Sequence, residues 1–141
     1  HDLGKICIPD RVLLKSGPLD PDEFEIIKRH PIIGGNILYG SKSEMIQMAQ
    51  TICQCHHERW DGSGYPSGLK GEEIPEAARI VAIVDVFDAL LQKRCYKSAF
   101  SLEETIDIIT TEKREHFDPR VLQTFLGILP ALLKIRSENP G

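Results

Sequence analysis

From residue 76 to residue 93 the chain is apolar at nearly every position, through Ala77, Ala78, Ile80, Val81, Ala82, Ile83, Val84, Val86, Phe87, Ala89, Leu90 and Leu91. The β-branched part, residues 80–84, would suit a strand, but the length of the run favours a helix. A helix that is apolar round its whole circumference belongs at the centre of a fold, with other elements on every side. This one also carries two carboxylates. Asp85 and Asp88 share a face at i, i+3 spacing. Burying a carboxylate costs on the order of several kcal/mol unless it is paired or metal-bound. Asp85, between Val84 and Val86, is expected to meet a partner inside. Asp88 either does the same or lies on a narrow exposed stripe, capping or bridging to arginines.

The remaining segments supply helices for it to pack on. Residues 1–20 read as a short helix and a loop. Asp20-Pro21-Asp22-Glu23 predicts an N-cap, a proline in the first turn and acidic residues at the positive helix end, for a helix to about Arg29. Pro31 predicts a break or kink at His30, then a second helical piece to about Leu38 that stops near Gly40. Ser43 predicts the cap of a helix over 43–57, with Met45, Met48, Ala49, Ile52 and Cys55 or His56 at helical spacing. Residues 58–75 form a glycine- and proline-rich loop. Ser101-Leu102-Glu103-Glu104 predicts a further cap, for a helix to about Lys113. Asp118-Pro119 opens the last helix, with Val121, Leu122, Phe125, Leu126 and Leu129 on one face and Pro130 as an interruption. No internal repeat, low-complexity segment or linker is visible. The expectation is an all-α fold with residues 1–141 as one domain.

Against that scaffold, four of the five histidines stand in three places. His56 and His57 run into the loop Glu58-Arg59-Trp60-Asp61-Gly62-Ser63-Gly64-Tyr65-Pro66, where glycines permit positive φ and Pro66 fixes one angle. His1-Asp2 is followed by Lys5 on the same helical face, within reach of a phosphoryl oxygen. His30 precedes the Pro31 break. Singly, each has a plain reading: a solvated terminus, a capping histidine, a polar helix end suited to the dipole. Together with Asp85 they suggest a His/carboxylate set for two or more cations such as Fe, Mn or Zn. Paired metals of that kind suit in-line displacement at phosphorus. Arg94 and Lys97, just past the apolar run, either clamp a phosphate diester or are ordinary surface charge. His116 reads as a structural entry to the last helix.

Composition narrows the partners. Seventeen basic against 21 acidic residues give a net charge of −4, which argues against binding a nucleic-acid polymer by phosphate neutralisation. No apolar run reaches the roughly 18 residues of a membrane span. Four cysteines without disulfide-rich density suggest reduced thiols and a cytoplasmic setting. Cys53 and Cys55 are too closely spaced for a usual structural zinc site and read as small residues packed on a helix.

The chain resembles the HD-GYP branch of the HD phosphohydrolase superfamily. The likeness rests on His1-Asp2-Leu3-Gly4-Lys5, His30-Pro31-Ile32-Ile33-Gly34, the run from His56 to Gly71 with Ile74-Pro75, and Ala78-Arg79-Ile80. It continues through Asp85-Val86-Phe87-Asp88-Ala89-Leu90, Arg94-Cys95-Tyr96-Lys97 and His116-Phe117-Asp118-Pro119. The resemblance implies an HD-domain helical bundle that hydrolyses cyclic di-GMP to the linear dinucleotide or GMP at two or three divalent metal ions. It implies His1, Asp2, His30, His56, His57 and Asp85 as metal ligands, with Asp2 bridging. It also implies Lys5, Arg94 and Lys97 on substrate phosphates and Gly64, Tyr65 and Pro66 as the guanine-side wall, a loop that meets partner signalling domains in some members. Asp2 and Lys5 are expected to be catalytic, and Asp88 to be a supporting or substrate-contacting acid. The family's acidic or His residue upstream of the His-Asp pair has no counterpart here, so a bundle truncated at its N-terminus is expected. Leu91-Gln92-Lys93, Cys95 and Glu115 depart from the usual pattern. Two alternatives stay open: a non-catalytic module that binds a partner or the nucleotide, and an HD phosphohydrolase acting on another nucleotide.

Overall fold

The computed structural model describes residues 1–92 and 100–138, and among these every regular element is helical. A 3-10 turn, Leu3–Cys7, leads to α1 (Asp10–Leu13), α2 (Pro21–Ile27), α3 (His30–Leu38) and α4 (Glu44–Cys55). The glycine loop, with a short 3-10 turn at Gly71–Glu73, precedes α5 (Glu76–Leu91). Then come α6 (Leu102–Asp107), a π-helical stretch (Ile108–Glu112), a 3-10 turn (Arg114–His116) and α7 (Pro119–Glu138). The N-terminal turn and α4 both pack on α3, α4 lies against α5, and α5 meets α6 and α7.

Local chemistry explains most boundaries. Asp20 accepts the Glu23 amide at 2.9 Å and Glu23 accepts the Asp20 amide at 2.9 Å, a reciprocal cap that starts α2. Ser101 and Glu104 do the same for α6. Pro31 sits in the first turn of α3, where its missing N–H costs nothing, so the break falls between Ile27 and His30. Ser43 does not cap α4 with its side chain. The Ser41 hydroxyl instead accepts the Ser43 amide at 3.2 Å.

Three expectations are corrected. α5 is not buried all round: Ala78, Ile83 and Phe87 are buried, while Ile80 is 46% and Val84 42% exposed. α7 covers only one flank of it, and the open flank forms a groove of about 440 Å³ with Val121 and Ile128 on its far side. Apolar composition makes burial favourable on every face, but a face is buried only where a partner element lies. Second, α7 runs straight through Pro130. An internal proline costs about 3 kcal/mol, and packing of Leu126, Leu129, Leu132 and Leu133 on the core, on both sides of it, carries the helix past. Third, the helix expected to reach Lys113 is α-helical only to Asp107 and then widens to the π form.

The core that receives α5 is Ile83, Phe87, Ile109, Phe117, Leu122 and Phe125, with the Phe87 and Phe125 rings edge to face at 5.1 Å. A second device matters more for the site. A Cβ on Gly4 would lie 1.9 Å from the His30 carbonyl oxygen and 2.6 Å from the Gly34 nitrogen. Gly34 in turn faces the Cys53 side chain. These small residues let the N-terminal turn touch α3 backbone to backbone and let α4 lie close against α3, which brings Asp2 beside His30 and His56.

Candidate metal centre

His30 opens α3, and its Nδ1 lies 2.7 Å from the Ile27 carbonyl. His56 follows the last residue of α4, and its Nδ1 lies 2.9 Å from the Cys53 carbonyl. In both rings Nδ1 is therefore the donor, and Nε2 turns inward. The two Nε2 atoms are 3.3 Å apart. Asp2 Oδ1 sits 3.5 Å from the first and 3.7 Å from the second. Both rings are buried, at 0% and 2% exposure. Three electron-rich atoms cannot crowd together in a dry interior without a positive charge among them, either a shared proton or a metal ion. His57 completes the cluster: one donor atom from each of Asp2, His30, His56 and His57 lies within 4.8 Å of the others.

The protonation states suit a metal. Burial pushes the Asp2 carboxyl up, but the neighbouring His56 ring and the ammonium of Lys5, 2.7 Å away, outweigh it and hold the group ionised far below the usual range. Burial lowers His30, and burial with the neighbouring His56 and His30 pushes His57 down to about 3. Neutral imidazoles round an ionised carboxylate are the state in which a borderline divalent cation is bound without displacing protons. The donor set therefore fits such an ion.

Asp2 has two faces. Its Oδ1 looks toward His30 and His56, while Oδ2 looks toward Lys5 and, at 3.7 Å, His1 Nε2. His1 Nε2 is also 3.4 Å from Asp85 Oδ1, and the His1 ring meets that of His56 at 4.9 Å. Asp85 thus joins the centre from α5. Asp88 does not: although it shares a helix face in the sequence pattern, its carboxylate pairs with Arg136 of α7 and Gln92. Arg94 and Lys97 lie outside the described residues.

The glycine loop is shaped against the centre. Tyr65 stacks on His57 with ring centroids 4.8 Å apart, and its amide donates to the His57 carbonyl at 3.2 Å. Burial, with the Asp2 and Asp85 charges, pushes its hydroxyl up to about 12. A Cβ on Gly64 would fall 2.4 Å from the Arg59 nitrogen, so only glycine lets the loop fold back on residues 57–59. The Tyr65–Pro66 peptide is cis.

Sequence reasoning missed what anchors the loop. Glu58 is 3% exposed and accepts the Ser67 amide at 2.7 Å and the Leu69 amide at 3.0 Å. Arg79 holds Asp118 at 2.6 Å and lies over the Trp60 ring, tying α5, the loop and the start of α7 together. A carboxylate placed directly before a glycine-rich segment was the only signal for the first. Glu58→Ala should cost about 1–3 kcal/mol of stability, the usual penalty for donors left unpaired. Amide exchange should quicken at Ser67 and Leu69, and unchanged exchange there would show that Glu58 does not hold the loop.

A pH effect follows from His57. Its ordinary pKa is 6.5 and its folded value about 3, so between those values the unfolded chain binds a proton that the fold refuses. Stability of the metal-free protein should fall as pH drops through that window. Asp2, also depressed, adds to the loss below its ordinary 3.8. Urea midpoints in chelator at pH 7, 5 and 4 check this, and a flat series would contradict the assignment.

A family model described as HD domain matches residues 1–121. The chain is 52% identical over 126 residues to a cyclic di-GMP phosphodiesterase response regulator of Xanthomonas campestris, covering 89% of this chain and 33% of the relative. It is 51% identical over 128 residues to a cyclic di-GMP phosphodiesterase of Thermotoga maritima, covering 91% of this chain and 35% of the relative. A 3'3'-cGAMP-specific phosphodiesterase of Vibrio cholerae is 43% identical over 140 residues, covering 99% and 27%. The chain thus spans about a third of the length of these relatives.

Proposed function

Because the chain belongs to the HD domain family, we propose that its His/Asp centre is the metal site of a phosphodiesterase that opens a cyclic dinucleotide, cyclic di-GMP by preference. The observation that carries this is the cluster of four donor atoms within 4.8 Å, with the Nδ1 atoms of His30 and His56 both committed to carbonyls. Asp2, His30, His56 and His57 would hold one divalent ion. His1 and Asp85, meeting on the other face of Asp2, would hold a second, with Asp2 shared between them. Ions bound there polarise a phosphoryl oxygen and make water a nucleophile near neutral pH. The relatives' printed activities, on cyclic di-GMP and on 3'3'-cGAMP, support this substrate class.

The protein's own groups do the positioning. Tyr65 fixes the plane of the His57 ring by stacking on it, and the Ile27 and Cys53 carbonyls fix His30 and His56. Lys5 keeps Asp2 ionised and presents an ammonium at the mouth, where a phosphoryl oxygen would arrive. Asp88, paired with Arg136, steadies the end of α5 from a distance.

Anaerobic incubation of the full-length protein with Mn or Fe(II) and cyclic di-GMP, followed by chromatography, is expected to give linear dinucleotide or GMP. No product under metal-replete conditions would refute the proposal.

A further inference from the structure

Beside the His/Asp centre lies a cavity of about 230 Å³. Its lining includes His57, Asp85 and Tyr65 from the side of the centre, and Arg59, Lys113 and His116. Arg59 opens the glycine loop, while Lys113 and His116 bracket the turn before α7. The Trp60 amide donates to the His116 carbonyl at 2.9 Å and ties the two segments together. Burial, then the charges of Arg59 and Lys113, hold the His116 imidazole below its ordinary range, so the three groups converge.

Among the described residues no carboxylate forms an ion pair with Arg59 or Lys113, although Asp85 lines the same cavity. Asp61, whose charge reaches His116 and Arg59, accepts the Ser63 amide and hydroxyl on its Oδ1 at 2.8 and 2.7 Å. Glu58 is taken by the Ser67 and Leu69 amides. Among the described residues the Arg59 guanidinium hydrogen-bonds only the Ser63 hydroxyl, at 3.5 Å. The Lys113 ammonium has no hydrogen bond or ion pair among the described residues.

We propose that this cavity is an anion subsite that takes the second phosphate of a cyclic dinucleotide while the first lies at the His/Asp centre. The inference rests on the function proposed above. A cyclic dinucleotide carries two phosphodiesters in one ring, so with one at the metals the other must fall on an adjoining surface. A guanidinium and an ammonium with no acid partner keep their donors for it, and neutral His116 adds one N–H. Two neighbouring cations are offset by an anionic phosphate and not by a neutral guanine, which favours phosphate as the occupant.

The test uses Arg59→Ala and Lys113→Ala in the full-length protein, on cyclic di-GMP and on bis(p-nitrophenyl) phosphate, which has a single phosphate. The ratio of kcat/KM for the first substrate to that for the second should fall about tenfold in each variant, the worth of one charge-assisted contact. The fall should lie chiefly in KM, cyclic di-AMP should show it equally, and Lys113→Arg should restore most of it. An unchanged ratio overturns the subsite. So does a fall confined to cyclic di-GMP, which would make the wall a reader of bases. If the wild type fails to cleave either substrate, titration of the metal-free protein with inorganic pyrophosphate decides instead. A Kd weakened about tenfold in the variants then supports the subsite, and an unchanged Kd sinks it.

Discussion

Replacing Asp2 with alanine should abolish both metal retention and turnover. Asp2 is the one carboxylate within reach of His30, His56, His1 and Lys5 at once, through its two oxygens. Without it, the imidazoles remain but no negative charge offsets a divalent cation, and nothing joins the two halves of the centre. Losing the several kcal/mol that a bound metal contributes to the transition state corresponds to a rate lower by ~10³-fold or more. The fold should survive, because the Asp2 side chain is 42% exposed. Elemental analysis of the purified variant, alongside chromatography of cyclic di-GMP reactions, checks the prediction. A variant that keeps its metal and most of its activity would mean that the donor set is assigned wrongly.

The second large effect is expected at a residue that has no side chain. Gly4→Ala places a methyl 1.9 Å from the backbone oxygen of His30. Backbone cannot rotate away as a side chain does, so the N-terminal turn must lift off α3. Overpacking of this kind costs about 1–3 kcal/mol. That corresponds to a melting temperature lower by several degrees, at roughly 2–8 °C per kcal/mol for domains of this size range. The functional loss should exceed the stability loss, because lifting the turn carries Asp2 away from His30 and His56. Thermal unfolding and metal titration of the same sample separate the two. Wild-type metal affinity in this variant would show that the Gly4 contact does not position Asp2. Gly64→Ala, with its methyl 2.4 Å from the Arg59 nitrogen, should disturb the opposite side of the site by the same logic.

The helices were legible where a side chain bonds its own backbone. Asp20 with Glu23 and Ser101 with Glu104 read as caps and are caps, because that chemistry lies within one turn. The boundary at Pro31 was legible for a covalent reason. Legibility failed where the outcome depends on a distant partner. Residues 76–93 looked apolar on all sides, and nothing local says that α7 covers one flank and leaves Ile80 and Val84 open. Pro130 looked like a stop, and only the packing of Leu129, Leu132 and Leu133 on a remote core overrides it. Asp85 and Asp88 share a face at i, i+3 spacing, with Asp85 expected inside and Asp88 left open, and their fates divide because His1 meets the first and Arg136 the second.

The sequence by itself determined which residues are candidates for metal chemistry. Histidines at helix ends and an aspartate inside an apolar helix are costly to bury without a partner, and that cost is written in residue types alone. It also determined the helical class and the family, through motifs that run from His1 to Pro119. The tertiary structure decided the geometry that turns those residues into a centre. Gly4 against the His30 carbonyl, Nδ1 atoms drawn to the Ile27 and Cys53 carbonyls, and Glu58 gripping the loop are contacts between elements or across a turn. They decide which nitrogen faces inward and how closely Asp2 approaches. Such distances depend on how whole elements pack, and no pattern of neighbours along the chain encodes them.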